Sequence, residues 1–414
     1  MNEAKQKFRL TRLERAWILY DVGNSAFVLL VATLIPIFFN ALAEGGGLSS
    51  VEYLAYWGYA ASAVTVITAV LSPILGTLAD TRNYKKPIFT FCVAVGVIGC
   101  CAMGMASTWL PFLLIFIFAK VGFSGSLVFY DSMLSDVTVP DRMDEVSSKG
   151  YAWGYIGSCV PFVVCLALVL GAGSIGISQM TALNLALFIT AAWWLVTTLP
   201  LLRQYKQVHF VEVQEHAIRQ SFARIGHTLR HLKEDRQVFW FLLAFFCYID
   251  GVYTIIDMAT AYGTALGLDT TGLLLALLVT QIVAFPSALV FGRLSGQYPS
   301  GTLIPVCIAA YAGIALFAFF LKHQWQFWVL AVVVGMFQGG IQALSRSHFA
   351  KIIPPEKSGE YFGLFDICGK GASFLGTMIV SVGSQLTGSA NVGVGSLIVL
   401  FIVGFVLFRV SDQK

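Results

Sequence analysis

The chain contains twelve long apolar runs, and no other feature limits its fold as strongly. A helix needs about 20 apolar residues to cross the hydrocarbon core of a bilayer. Lipid offers backbone groups no hydrogen-bond partner, so runs of this length without barrel-type alternation are expected to form helices. The sequence therefore predicts an all-α membrane protein with twelve transmembrane helices, which we call spans 1–12. They are expected at 16–43, 53–79, 86–107, 109–137, 145–171, 179–201, 237–265, 271–297, 301–321, 325–350, 359–386 and 390–409.

Composition excludes the main classes of water-soluble protein. Charged residues make up 12% of the chain and the mean hydropathy is +0.78, whereas soluble domains carry about 25% charged residues. A soluble enzyme, a nucleic-acid-binding protein and a disulfide-stapled secreted domain are therefore excluded. The expected partners are the lipid bilayer and a small-molecule substrate. All eight cysteines fall within apolar runs, so we expect them to be packing residues.

Basic residues concentrate on one side of the predicted bundle. Of the 26 Lys and Arg residues, 22 lie on one side, in the two termini, in the loops that follow even-numbered spans or in the span ends beside them. We call this side the basic end. Because Lys and Arg are enriched on the cytoplasmic side of membranes, both termini are expected in the cytoplasm. The spare loops suit a bacterial inner membrane better than a vacuole, and we expect a monomer.

The longest polar stretch, at 202–236, divides the chain into an N half at 1–201 and a C half at 237–414. Its apolar residues recur at helical spacing between basic ones, which predicts an amphipathic helix on the cytoplasmic surface. The halves also repeat, because Asp131 precedes Pro140-Asp141-Arg142 as Arg346 precedes Pro355-Glu356-Lys357. Two pseudo-symmetric six-helix halves around a midplane site are the architecture of the major facilitator superfamily.

Two motifs typical of soluble enzymes are present but lack their structural context. Gly171-Ala-Gly173-Ser-Ile-Gly176 fits GxGxxG but follows a membrane span, and Gly363…Gly369-Lys370-Gly371 lacks the spacing and the Ser/Thr of a P-loop. His227 and His231 have metal-ligand spacing without a Glu between them, so we expect surface residues. We therefore expect no enzyme, no cofactor and no metal site, and any energy for transport must come from a gradient.

The loop after span 2 reads Gly76-Thr-Leu-Ala-Asp80-Thr-Arg82-Asn-Tyr-Lys85-Lys86. It resembles the loop signature of the major facilitator superfamily. The glycine permits close helix packing, and Asp80 can cap a neighbouring helix N-terminus or pair with a loop cation. We therefore predict that Asp80 helps to hold one conformation shut.

Further motifs resemble one branch of that superfamily, the vacuole-effluxer or "unknown major facilitator" family, which is related to the autophagy-linked amino-acid effluxers of fungal vacuoles. The resemblance covers nearly the whole chain, and it places Asp131 where the family is expected to have Asn. It implies a secondary transporter that exports small solutes such as neutral amino acids. The motifs are Trp17-Ile-Leu-Tyr20-Asp21-Val-Gly-Asn24-Ser25-Ala26-Phe27, Phe129-Tyr130-Asp131, Gly150-Tyr151-Ala152-Trp153-Gly154-Tyr155-Ile156-Gly157, Tyr248-Ile249-Asp250-Gly251, Gln338-Gly339-Gly340-Ile-Gln342-Ala343-Leu344-Ser345-Arg346-Ser347, Phe362-Gly363 and Gly369-Lys370.

Two alternative functions remain open. The first is an exporter or flippase of amphipathic, lipid-like molecules, which an apolar cavity with scattered charge would suit. The second comes from another class, a membrane receptor or scaffold that kept the fold and does not transport. Short loops and the absence of an appended domain in the sequence argue against the second.

Ionisable residues inside the spans indicate where function resides, because each costs about 2.5–3.5 kcal/mol at the bilayer centre. Spans 1, 4, 7 and 10 line the central cavity in the superfamily, and most of these charges belong to those four spans. The charged residues are Asp21, Lys120, Asp131, Asp250, Asp257, Arg346, Asp366 and Lys370.

Gating is expected from charges on the inner side of the bundle. Asp131 and Arg346 occupy equivalent places in the two halves, which favours an ion pair between the halves. Asp366 and Lys370 are four residues apart, so they can neutralise each other as a structural pair or a gate. The predicted gating residues are Asp80, Asp131, Arg142, Arg346, Asp366 and Lys370.

Substrate and proton binding are expected deeper in the bundle. Asp250 has no cation on its own helix, so it is predicted either to bind the coupling proton or to be a buried hydrogen-bonded residue. Asp21 is the second candidate for coupling and could equally be a gate partner of Arg346. Lys120 is expected to bind a substrate carboxylate or to pair with Asp250 or Asp21. The predicted substrate-binding residues are Tyr20, Asn24, Lys120, Tyr253, Gln338 and Gln342.

Overall fold

The computed structural model of the chain describes residues 9–212, 228, 230, 232 and 234–412, without the side chains at 50, 51, 54, 260, 261, 265, 270, 271, 274 and 370–374. The amphipathic helix predicted in the polar stretch therefore lies almost wholly outside the described residues. The same holds for His227 and His231 and for the side chain of Lys370.

Helices occupy the twelve predicted positions. In the N half they are Arg12–Ala32 with Leu34–Gly45 (span 1), Ser50–Ala79 (span 2), Lys85–Met103 (span 3), Trp109–Ser132 with Leu134–Val137 (span 4), Pro140–Leu170 (span 5) and Gln179–Gln204 (span 6). In the C half they are Arg236–Ala265 (span 7), Thr270–Leu294 (span 8), Ser300–Phe319 (span 9), Gln324–Ile352 (span 10), Ser358–Thr387 (span 11) and Ala390–Gly395 with Ile398–Asp412 (span 12). Of the described segments, eleven are long and apolar enough to cross a membrane. Span 11, in which the side chains at 370–374 lie outside the described residues, fills the remaining position.

Local sequence explains how span 1 begins and why it is broken. Thr11 accepts a hydrogen bond from the backbone N–H of Glu14, and the Glu14 carboxylate accepts one from the N–H of Thr11, which is a capping box. The break falls at Thr33, three residues before Pro36. Proline has no N–H to donate and its ring clashes with the preceding turn, so the helix is interrupted there and restarts at Leu34.

Each half is a bundle with its own aromatic core. In the N half, span 1 packs against spans 5 and 6, and span 4 packs against spans 2 and 3; in the C half, span 7 packs against spans 11 and 12, and span 10 against spans 8 and 9. Trp17 and Trp194 are fully buried in the N half. Large apolar side chains such as Phe91, Phe118 and Val196 are exposed on the outer surface, where a lipid environment would accept them.

The main contacts between the two halves join five pairs of spans. Span 2 packs against span 11, span 5 against spans 8 and 10, and span 4 against spans 11 and 10. Among the described residues, the hydrogen bonds and ion pairs that join the halves lie between the middle of the bundle and its basic end. The halves are therefore held together at the basic end of the bundle.

Candidate functional site

Arg346 of span 10 joins four helices at the interface between the halves. Its Nη1 donates to Asp131 Oδ1 of span 4 at 3.0 Å, and its Nη2 lies 3.5 Å from Asp21 Oδ2 of span 1. Nε donates to Ser147 Oγ of span 5 at 2.9 Å. The pairing of Arg346 with Asp131 that the sequence predicts is thus present, and Asp21 is a second partner. Because Arg346 is only 2% exposed, these bonds operate with little competition from water.

Aromatic rings enclose the Arg346 guanidinium. Its carbon lies 4.3 Å from the ring centre of Tyr151, 4.6 Å from that of Trp17 and 5.4 Å from that of Tyr130. Trp17 and Tyr130 stack on each other at 4.4 Å, and Trp17 Nε1 donates to the carbonyl of Tyr130. Planar arginine suits such a stacked site in a way that lysine would not.

A second ion pair crosses the interface close to Arg346. The Lys351 ammonium of span 10 contacts the Asp144 carboxylate of span 5, and Ser347 Oγ donates to the same carboxylate at 2.6 Å. Neither Lys351 nor Asp144 is among the predicted gating residues. Both lie near helix ends, where charged residues are common, so neither stands out in the sequence. The pair could have been predicted only from the fact that both residues lie at the same depth in the bundle, on two helices that contact each other.

Asp80 caps the N-terminus of span 11 from the opposite half. Its Oδ1 accepts from the N–H of Gly359 at 2.7 Å and its Oδ2 from the N–H of Glu360 at 2.8 Å. Helix N-termini carry unsatisfied N–H groups and a partial positive charge, so a buried carboxylate is stabilised there. Lys85 Nζ lies 3.6 Å from Asp80 and donates to Ser358 Oγ at 2.8 Å, adding a second bond across the interface. The geometry is the one that the loop motif predicts for Asp80.

The segment after span 6 is bound to the end of span 4 and to the loop that contains Asp80. Tyr205 donates its hydroxyl to Asp136, and the N–H of His209 donates to the other oxygen of that carboxylate at 2.8 Å. Burial and the neighbouring Asp136 raise the pKa of Tyr205 well above its ordinary value, so the phenol remains a donor. Val211 then pairs with Thr81 as an isolated parallel bridge. The start of the linker between the halves is therefore fixed to the loop that contains Asp80.

The other predicted gating residues differ in what they join. Arg142 forms a two-bond pair with Glu14, at 2.9 and 2.7 Å, which ties span 5 to span 1 within the N half and not across the interface. Asp366 accepts from Ser72 Oγ at 2.8 Å and does link the halves. The predicted pairing of Asp366 with Lys370 cannot be placed, since the Lys370 side chain lies outside the described residues.

Two opposite charges, one on each half, lie beyond the bonds that join the halves at the basic end. Lys120 of span 4 is within electrostatic range of Asp257 of span 7, and the Asp257 side chain is exposed. The Lys120 ammonium also lies 4.8 Å from the ring centre of Phe123. Tyr253, one turn before Asp257, lies within electrostatic range of both Asp257 and Arg346.

Asp257 is not among the predicted substrate residues, and Lys120 was expected to pair with Asp250 or Asp21 if it had a fixed partner. A signal for Asp257 existed in the sequence. It follows Asp250 by seven residues, and two helical turns return to the same face.

Asp250 is completely buried between spans 7 and 11 of the C half. Its Oδ1 accepts from the N–H of Gly376 at 2.9 Å and from Thr254 Oγ1 at 3.3 Å. Its Oδ2 has no hydrogen-bond partner among the described residues. The structure therefore does not bring Asp250 together with Lys120.

The remaining predicted substrate residues are divided among three places. Tyr20 is buried in the N half and donates to Ser126 Oγ at 2.6 Å, and Asn24 donates to the carbonyl of Tyr20. Gln342 accepts from the Tyr155 hydroxyl across the interface at 2.7 Å. Gln338 lines a cavity inside the C half.

A bundle of twelve spans in two halves, joined at one end and lined by opposite charges beyond it, defines a transporter of the major facilitator fold. Solved structures agree on the fold. The human organic anion transporter MFSD10 aligns with a TM-score of 0.72 over 96% of this chain and 98% of its own, at 14% identity. The transporter FucP in its outward conformation aligns with a TM-score of 0.72 over 97% and 98%, at 17% identity. The predicted fold class is confirmed.

The chain belongs to the family described as vacuole effluxer Atg22 like, which it matches over residues 11–141 and 135–414. It is 42% identical over 411 residues to the MFS-type transporter YxiO of Bacillus subtilis (strain 168), covering 98% of this chain and 96% of that protein. It is 24% identical over 430 residues to Autophagy-related protein 22 of Coccidioides immitis (strain RS), covering 83% and 70%. The family resemblance read from the motifs is therefore confirmed: the protein is a multi-pass membrane transporter and not an enzyme.

Proposed function

We propose that this protein exports neutral amino acids or similar small solutes by alternating access, in exchange for protons. The observation that carries the proposal is the pair of opposite charges, Lys120 and Asp257, on opposite halves of the bundle. An amino acid is a zwitterion, so its carboxylate can bind the lysine while its ammonium binds the aspartate. Binding of one small molecule then links the two halves, as a rocking transporter requires.

Alternating access is supported by the sealing of the basic end. The positive-inside distribution assigns that end to the cytoplasm. The bonds of Arg346, Asp80 and Lys351 then close the cytoplasmic side, and the Lys120–Asp257 pair communicates with the outside. We infer that the opposite conformation forms when these bonds break and the halves rock apart at the basic end.

Proton coupling is assigned to Asp250, with Asp21 as the second candidate. Asp250 is completely buried, and its Oδ2 has no partner among the described residues, which leaves a position for a proton. It also bridges spans 7 and 11 through the N–H of Gly376. A change in its charge would therefore act on the helix that Asp80 caps. Asp21 already pairs with Arg346, which favours a gating role for it.

The test of the substrate class is counterflow in proteoliposomes loaded with unlabelled neutral amino acids. Wild type is expected to accumulate a labelled neutral amino acid. Lys120→Gln and Asp257→Asn are each expected to lower the rate of this exchange at least about tenfold, because each removes a charged hydrogen bond worth about 1.5–3 kcal/mol. Lys322→Gln is the matched control, since Lys322 is exposed and outside the interface. If folded wild type exchanges no amino acid but moves a fluorescent lipid, the amphipathic alternative replaces this proposal.

The test of coupling uses the same vesicles with a pH gradient. Asp250→Asn is expected to retain counterflow, because exchange needs no net proton movement, but to stop concentrating label against the gradient. Asp21→Asn serves as the comparison. If Asp250→Asn concentrates label as wild type does and Asp21→Asn does not, the coupling proton belongs to Asp21.

A further inference from the structure

We propose that a cavity inside the C half receives the apolar side chain of the transported amino acid and limits its size. This inference rests on the proposed function. The cavity is enclosed by all six spans of the C half, with most of its lining from spans 7, 8 and 10, and has a volume of about 50 Å³. Ala259, Leu330, Ala331 and Val334 are among the residues that line it. Apolar walls of this kind bind apolar groups by removing them from water.

The cavity lies one helical turn from Asp257, one of the two charges that would hold the amino-acid backbone. Thr254 of span 7 lines the cavity, and Asp257, which does not line it, follows three residues later on the same helix. One turn of helix separates residues three or four apart by about 5–6 Å, which is the reach of a short side chain. An α-carbon held beside Asp257 can therefore place its side chain in the cavity.

One polar atom in the cavity wall has no partner. Gln338 lines the cavity and is 5% exposed, and its Oε1 accepts no hydrogen bond from any described residue. A buried acceptor without a donor is costly in a folded protein. A bound amino acid offers the ammonium group as a donor, so Gln338 is expected to contribute to binding and not only to packing.

The volume of the cavity limits the size of the substrate side chain that it can hold. A cavity needs about 10–15 Å³ to hold one water-sized group, so about four such groups fit here. The side chains of valine and leucine contain three and four carbon atoms and fit this space. The side chain of phenylalanine has seven carbon atoms and does not. The cavity therefore predicts a preference for small aliphatic amino acids over aromatic ones.

The test compares labelled alanine, leucine and phenylalanine in counterflow with wild type and two reciprocal variants. Ala331→Leu fills the cavity and is expected to lower leucine exchange at least about tenfold while alanine exchange stays within about twofold. Leu330→Ala enlarges the cavity and is expected to admit phenylalanine, which wild type excludes. Ala309→Leu is the matched control, because Ala309 is exposed on the outer face of span 9.

The outcomes separate this inference from the function on which it rests. Equal loss of alanine and leucine exchange in Ala331→Leu, or phenylalanine exchange in wild type as fast as that of leucine, overturns the cavity as the side-chain site and leaves amino-acid transport standing. Absence of exchange for every amino acid in folded wild type overturns both. Admission of phenylalanine by Leu330→Ala supports the inference even if Ala331→Leu fails to fold.

Discussion

Replacing Arg346 by glutamine is expected to open the basic end of the bundle and to abolish transport. The guanidinium bonds to Asp131, Asp21 and Ser147 while it stacks on Trp17 and Tyr151. Glutamine is shorter and uncharged, so it leaves two carboxylates facing each other without a cation. Removing one member of a buried ion pair costs about 3–5 kcal/mol. Most of that cost is borne by the conformation that is closed at the basic end, because only there does Arg346 meet the carboxylates of the N half.

A shift of this size changes the ratio of closed to open protein by about two to three and a half orders of magnitude, since 1.4 kcal/mol corresponds to a factor of about ten. The change can be measured as a distance between spin labels at Val139 and Glu356, two exposed loop positions at the basic end on opposite halves. The native cysteines must be replaced first. The distance is expected to lengthen in Arg346→Gln and to remain at its wild-type value in Arg409→Gln, whose arginine is exposed at the end of span 12.

An unchanged distance in Arg346→Gln, together with wild-type counterflow, would show that Arg346 does not close the basic end. The Asp131→Asn variant refines the result. It restores the residue expected in the family and leaves Asp21 as a partner of Arg346. Its opening is therefore expected to be smaller than that of Arg346→Gln. If Asp131→Asn lengthens the label distance as much as Arg346→Gln does, the whole effect of Arg346 on closure is assigned to its bond with Asp131.

The number of spans and the Asp131–Arg346 pair could be predicted from the sequence, because each leaves a signal that can be found along the chain. The lengths of the apolar runs give the number of helices, although they do not predict the break of span 1 at Thr33. Asp131 and Arg346 are recognisable because duplication places them at equivalent points of two halves. Asp80 is recognisable because it belongs to the loop motif that begins at Gly76 and ends in a basic cluster.

The rotation of each helix about its own axis could not be read from the sequence. In a membrane the lipid-facing surface and the helix–helix surface are both apolar, so hydrophobic periodicity does not separate them. Asp250 illustrates the consequence, since its depth suggested contact with the central site while the structure turns it toward Gly376 of span 11. Tyr20 is similar, because its hydroxyl turns toward Ser126 inside the N half. Lys120 and Asp257 come within electrostatic range of each other although 137 residues separate them in the sequence.

Replacing Gly76 by alanine is expected to prevent closure of the basic end, although the change adds only one methyl group. A Cβ atom at Gly76 would lie 2.2 Å from the carbonyl oxygen and 2.8 Å from the carbonyl carbon of Gly359. Both are backbone atoms of span 11, so no side chain can move aside and the two helices must separate. Asp80, four residues further along span 2, would then lose its bonds to the N-terminus of span 11, which are 2.7 and 2.8 Å long.

Gly58 provides a control in the same helix, because a Cβ atom there would meet nothing within 4 Å. Intrinsic helix propensity favours alanine over glycine by about 1 kcal/mol at both Gly58 and Gly76. A difference between the two alanine variants therefore does not come from helix propensity. Counterflow and the distance between labels at Val139 and Glu356 are the measurements. Gly76→Ala is expected to lose transport at least about tenfold and to lengthen the distance, whereas Gly58→Ala should match wild type within about twofold. Equal behaviour of the two variants would mean that spans 2 and 11 need not touch for the transporter to work, and the gate would then consist of Arg346 and Lys351 with their partners alone.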